Sequence, residues 1–443
     1  MNSPLPLRSI WQLSNAMQIN HIPTGKSTPT LLEGRNHPEL LMPGGDLEKL
    51  KTGLLFGGDA IYAGGREFSL RAYADNFDLP ALAQGISFAH NLGKKVYVTV
   101  NILAHNRHLQ ELPAFLLQLG ELAADGLIIS DPGVMKLAGQ YVPHIPITVS
   151  TQANVSNYES AAVFRDLGAR RIVLARELTL AEIAAIKERA GVEIEVFIHG
   201  AMCVSYSGRC LLSYYMAGRS ANQGACAHPC RYRYALQEEK RSGQYFPIEE
   251  DEHGSYILNS RDLCLLEYIP RLIEAGVDAF KIEGRMKSPL YVAVTGHIYR
   301  QAIDVWLQSR RPYPQELLES WRRELQGVAT RPYTDGFIMG PDPNLQDVGK
   351  TDPFDYHLEF CGIVKGYDTA RGWLEIEQRA NFGPGDELQV MIPRQPIMSL
   401  QCGEIYDENG LPLDRARHAR QRVWVPHPFA VATNSILRRI SRR

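Results

Sequence analysis

A chain of 443 residues, 44% hydrophobic and 22% charged, is long enough to bury a substantial core and reads as an ordinary globular protein of about two domains. Its formal net charge of -2 excludes a global field for polyanions, so any nucleic-acid contact must come from local patches. No apolar run approaches the ~20 residues of a membrane helix, and seven cysteines without a signal-like leader point to a reducing cytoplasm rather than a disulfide framework.

Residues 1–37 carry Arg8, Lys26 and Arg35 against one acid, Glu33, with no sustained period. They read as a disordered extension, with an acid-poor organellar leader as the alternative. From residue 38, short β-like runs alternate with amphipathic helices. The runs are 39–43 (ELLMP), 59–64, 94–101 (KKVYVTVN), 126–130, 147–151, 171–175, 193–200 (EIEVFIHG) and 279–284 (AFKIEG). Asp46 is placed to cap a helix reaching Phe56, and further helices are expected over 79–92, 180–190 and 291–308. The valine run of 94–101 suits a strand buried on both faces. Eight β/α units over ~250 residues match a closed (β/α)8 barrel; a doubly wound open sheet fits the alternation equally well.

In a barrel, functional residues sit at the C-terminal ends of the strands. Those ends carry Gly64, Gly65, Asn101, Ser130, Asp131, Gln152, Asn154, Arg176, Glu177, His199, Glu283 and Arg285. Taken singly, each reads as a loop residue bonding its own backbone. As a ring they suit a small polyanionic or amide-bearing ligand.

The loop 201–237 follows the seventh run. It holds Cys203, Cys210, Cys226 and Cys230, with six, fifteen and three residues between them. It contains no Asp or Glu, but does contain Arg209, Arg219, Arg231 and Arg233, interleaved with Tyr206, Tyr214, Tyr215, Tyr232 and Tyr234. Thiolates are stabilised by nearby cations and by soft metals. Structural zinc favours tighter Cys pairs than the six-residue gap here, so an iron–sulfur cluster is the favoured reading. Inert buried thiols are the plainer one.

Residues 238–255 form a polar, solvated insertion, and ILNSRDL (257–263) brings Asn259, Arg261 and Asp262 back toward the barrel mouth. Cys264 follows at the expected start of an apolar helix, where burial is expected rather than ligation. In KIEGR, Lys281, Glu283 and Arg285 alternate at a spacing of two and project to one side. They form either a mutual ion-pair network or a carboxylate-binding pair, Lys281 and Arg285, oriented by Glu283. A Pro/Gly/Asp-rich linker spans 339–355, and 356–443 changes to short alternating strands, as in a small β-barrel. Arg438, Arg439, Arg442 and Arg443 read as a basic tail.

EVFIHGAMCVSYSGRCLLS (195–213) resembles the signature of peptidase family U32. GRSANQGACAHPCRYRY, EEDEHGSYILNSRDL and FKIEGRMKSPLYV look closest to its tRNA hydroxylation branch. The resemblance covers about residues 38–440 and tips the fold to a TIM-like barrel with a cysteine-rich loop. It implies oxygen-independent conversion of the wobble uridine of tRNA to 5-hydroxyuridine, with prephenate, a dicarboxylate, as hydroxyl source. On this reading Cys203, Cys210, Cys226 and Cys230 hold a [4Fe–4S] cluster. His199, Lys281, Glu283 and Arg285 are the candidate catalytic residues. Asn101, Gln152, Asn154, Arg176 and Asn259 face the small co-substrate, and Arg209, Arg219, Arg231 and Arg233 meet the tRNA anticodon loop. The rivals are a peptidase using Cys203 or Cys210 with His199, and a non-catalytic RNA-binding iron–sulfur protein. Neither H-E-x-x-H nor G-x-S-x-G is present.

Overall fold

The computed structural model describes residues 37–442, save 71–75, 204, 232–235, 238–244, 247–249, 252–253, 256–260 and 341–355. The 1–37 extension, all but its last residue, lies outside the described residues, as does nearly all of the 339–355 linker. His37–Arg443 forms one compact unit.

Seven parallel strands follow in order: β1 Glu39–Gly44, β2 Ala60–Gly64, β3 Lys95–Val100, β4 Gly126–Ile129, β5 Ile147–Val149, β6 Ala169–Val173 and β7 Glu193–Ala201. An eighth, β8 Ala279–Ile282, pairs in parallel with β1 (Glu39 beside Ala279) and with β7 (Ala279 beside Glu195). That double pairing closes the sheet, so the barrel is the fold and the open sheet is not. The strands are buried almost without interruption, because helices cover the outside and side chains fill the inside. Local chemistry sets the helix starts. Asp46 accepts from Lys49 N at 2.8 Å to begin Leu47–Leu55, and Thr179 with Glu182 makes a capping box for Leu180–Ala190, which ends at Gly191 in the left-handed region.

The barrel interior is unusual in its charge. Tyr62, Tyr97 and Ile128 lie in a small apolar cluster there. Beside them Arg171 bonds Glu39 at 2.7 Å and Glu193 at 2.9 Å and lies 3.3 Å from Glu195, which takes Lys281 at 2.8 Å.

Two expectations need correction. Cys264 does not open a helix. It ends the strand Asp262–Cys264, which runs antiparallel to β7 with Cys264 opposite His199. Arg438 and Arg439 are not in a tail either: Ile436–Arg442 is an inner strand of the C-terminal sheet, paired to Tyr356–Asp368 on one side and Glu387–Met391 on the other, while Arg443 and the Arg442 side chain lie outside the described residues. Arg438, 1% exposed, is held by Glu324 at 2.6 and 3.0 Å, while Arg439 pairs with Glu359 and Asp386. The sequence shows the arginines, but their acids lie 53 to 114 residues away along the chain. That sheet is an eight-stranded, curled, antiparallel one, with Cys361 and Cys402 in its core. No helix among the described residues is long and apolar enough to cross a membrane.

Candidate active site at the barrel mouth

Five of the residues expected at strand ends, Asn101, Gln152, Arg176, Glu283 and Arg285, converge with Lys281 on one pocket at the barrel mouth. Tyr62, Leu70, Thr99, Ile128, Ser150, Thr151 and Phe197 complete its wall. Arg285, 4% exposed, donates from Nη1 to Ser69 Oγ at 2.9 Å and Thr99 Oγ1 at 3.4 Å. Lys281 is as buried, bonds Glu195, and has the Tyr62 ring at 4.5 Å and the Phe197 ring at 5.5 Å. Burial pushes its ammonium below the usual lysine range, and the Glu195 carboxylate pulls it back up. Arg176 lies over the Phe197 ring at 3.7 Å and donates to the Ala201 carbonyl at 2.5 Å. Asn101 accepts from Leu70 N at 3.1 Å and donates to Gln152 Oε1 at 3.3 Å, presenting amide groups beside the cations.

The loop of cysteines is tied to this mouth. Ser207 donates from N and Oγ to Glu177, both at 2.7 Å. Arg209 donates to the Gln152 carbonyl at 2.7 Å, and Asn154, in the left-handed region, donates to the Tyr206 carbonyl at 3.2 Å. Gln223 bonds His105 and Arg107 on the β3 side. Arg219 holds the loop to itself through the Ala225 and Cys226 carbonyls at 3.3 and 3.4 Å. Between these ties a short helix, Leu212–Ala217, presents Tyr214 and Tyr215 at 58% and 76% exposure.

Cys203 is exposed, and Cys210, Cys226 and Cys230 are half-buried. All seven cysteines are thiols. Among the described residues no three Cys, His, Asp or Glu side chains stand close enough together to hold an ion. The four thiols share one loop whose sequence carries no Asp or Glu, a donor set chemically suited to a soft metal, but the described residues hold no preformed ligand geometry.

His199 departs from expectation. The alternation of Glu195 and Phe197 would aim it into the barrel, but a bulge sets Lys281 beside Phe197 and the next residue, Ile282, beside His199. The imidazole is turned out among Tyr291, Tyr299 and Tyr333, 3.2 Å from Tyr299 Oη and 3.5 Å from Tyr333 Oη. Burial holds its pKa down to about 3. It does not line the pocket with the other three candidate catalytic residues. Ser130 and Asp131 take the plainer roles, bonding the Asn101 carbonyl and capping Pro132–Tyr141. Asn259 and Arg233 lie outside the described residues, as does the Arg231 side chain. Sequence reading missed Tyr62, Thr99, Ser150 and, beneath them, Glu195. The two-residue period of KVYVTV and EIEVF carried the signal for Thr99 and Glu195.

Residues 45–347 match the family described as Peptidase family U32, and 357–438 its C-terminal domain. The chain is 38% identical over 386 residues to tRNA hydroxylation protein P1 of Bacillus subtilis, covering 87% of this chain and 91% of that one. It is 36% identical to tRNA hydroxylation protein P of Escherichia coli, over 90% and 96%. It is 34% identical to the 23S rRNA 5-hydroxycytidine C2501 synthase of Escherichia coli, over 81% and 53%.

Proposed function

This chain belongs to peptidase family U32, and from that premise we propose that it is a tRNA-modifying enzyme. It converts the wobble uridine to 5-hydroxyuridine without molecular oxygen, drawing the hydroxyl from a small dicarboxylate, prephenate. The relatives named for tRNA hydroxylation support the substrate, and the rRNA 5-hydroxycytidine synthase supports hydroxylation of a pyrimidine ring. The observation that carries the reading is the meeting of Arg176, Lys281, Arg285, Asn101 and Gln152 in one pocket under the tethered cysteine loop.

The cations bind the carboxylates of the co-substrate; Arg285, its Nη1 fixed by two hydroxyls, supplies a planar donor fork. Asn101 and Gln152 orient the ligand, and burial of the pocket wall keeps water from competing for these bonds. The exposed tyrosines of the loop stack on unpaired bases, worth ~1–3 kcal/mol each, and Arg209 at the rim meets phosphate. Cys203, Cys210, Cys226 and Cys230 would hold the [4Fe–4S] cluster, which when bound supplies redox or Lewis-acid chemistry. The enclosure of His199 by Tyr291, Tyr299 and Tyr333 weighs against a peptidase that pairs Cys203 or Cys210 with this histidine.

The test measures 5-hydroxyuridine in tRNA from cells lacking the protein and from cells complemented with variants, with protein level and iron content measured alongside. Loss on deletion, restoration by the wild type, and at least a tenfold deficit in Arg285→Lys are expected. Unchanged 5-hydroxyuridine on deletion would overturn the reading. In anaerobically purified protein, Cys→Ala should bleach the visible absorbance at positions 203, 210, 226 and 230, and not at 264, 361 or 402.

A further inference from the structure

Glu195 sits in the middle of the barrel, wholly shielded from solvent, and does not line the mouth pocket. Its two oxygens face different cations: Oε1 takes Lys281 at 2.8 Å, and Oε2 lies 3.3 Å from Arg171. Arg171 is itself pinned by Glu39 at 2.7 Å and Glu193 at 2.9 Å, and Glu39 also accepts from Tyr97 Oη at 2.9 Å. The column is therefore anchored at the barrel floor, and Lys281 is its member that reaches the pocket. An ammonium has three donors. Among the described residues Lys281 gives one hydrogen bond, to Glu195, while the faces of Tyr62 and Phe197 flank the charge. Two N–H bonds of a buried cation stay available to a ligand acceptor.

We propose that Glu195 is a positioning residue of the active site: it keeps Lys281 cationic and aimed at the pocket, so that a ligand carboxylate meets a fixed charge. The ligand part of this inference rests on the function proposed above. The groups facing Lys281 are Glu195 on β7, Arg171 and Arg176 on and just after β6, Tyr62 on β2 and Phe197 on β7, with Glu283 and Arg285 following on its own segment. Of these, Glu195 is the carboxylate bonded to it. A purely structural pair would serve equally well if both charges were removed together; a positioning pair would not.

Cyanate, a small anion that carbamylates only the neutral amine, reads the charge state directly. Carbamylation of Lys281 in the full-length protein is followed by peptide mass spectrometry from pH 7 to 9, with Lys94 as the internal control for general opening. Lys94 is held by the Leu54 carbonyl at 2.7 Å and by the Gly58 carbonyl. Glu195→Gln should speed reaction at Lys281 at least tenfold at pH 8 while Lys94 is unaffected, and Glu195→Asp should fall between the two. Equal rates at Lys281 in wild type and Glu195→Gln overturn the proposal. If Glu195→Gln does not fold, Glu195→Asp carries the same comparison, and a wild-type rate there overturns it. The double variant Glu195→Met/Lys281→Met should fold yet leave tRNA without 5-hydroxyuridine; normal modification would reduce the pair to a strut. If deletion of the protein leaves 5-hydroxyuridine unchanged, the proposed function fails, and the cyanate rates still judge Glu195.

Discussion

Enclosed by three tyrosines, His199 makes the acid limb of stability a local matter. Its ordinary pKa is 6.5 and burial holds the folded value at about 3, so between those limits the folded protein binds fewer protons than the unfolded chain. The contribution is complete above pH ~6.5 and is lost as pH falls. By pH 5 the loss is about 2 kcal/mol. His199→Phe should remove that slope, so urea unfolding at pH 7 and pH 5 should differ less in the variant than in the wild type. Equal losses in both would show that His199 is not the group responsible. The same residue marks a limit of sequence reading. Period-two alternation aims it into the barrel, and only the bulge against β8, a backbone feature with no residue signature here, sends it outward.

At the scale of elements, the end of β2 shapes the pocket from behind. A methyl group added at Gly64 would overlap Arg285 Nη1 and Ser69 Oγ. Arg285 is buried and bonded to Ser69 and Thr99, so the overlap cannot be relieved without moving the guanidinium. Gly64→Ala should cost about 1–3 kcal/mol in stability, yet reduce 5-hydroxyuridine at least tenfold. A variant that modifies tRNA normally would mean that Arg285 has slack. Strand order and mouth residues were legible because apolar runs alternate with helical patterns and most of those runs end in polar residues. Asn101, Gln152, Arg176 and the KIEGR triplet follow from position alone. The depth of the charges was not legible: nothing local to Lys281 tells that its carboxylate partner stands 86 residues earlier, on a neighbouring strand.

Across the whole molecule, the C-terminal sheet is fastened to the barrel layer by paired charges and shared core. Arg379 and Lys365 meet Glu48, Arg438 meets Glu324, and Leu358 N bonds the Gly327 carbonyl. Leu358, Ile363, Met391 and Ile436 lie in the same apolar cluster as the barrel. The change of period near residue 356 announced the second sheet, but its fastening depends on Glu48 and Glu324, which no pattern connects to it. Arg438→Ala would leave Glu324 without its bidentate partner and should cost ~3–5 kcal/mol. The salt dependence of tRNA binding should not change, because this arginine is not available to phosphate. A flattened salt slope would restore the tail reading.

Closure of the barrel has a temporal side. Glu39 and its partner Ala279 stand 240 residues apart (279 − 39), and chains emerge from the ribosome at about 5–20 residues per second. For roughly 12 to 48 seconds, one edge of β1 has no neighbour to accept. The thiol-bearing loop emerges within that interval, before β8 exists to seal the cylinder. Exposed strand edges recruit other chains. The nascent protein therefore passes through a stage, set by its topology, in which its first strand and its cysteines are accessible together, and that stage ends when residues 279–282 arrive.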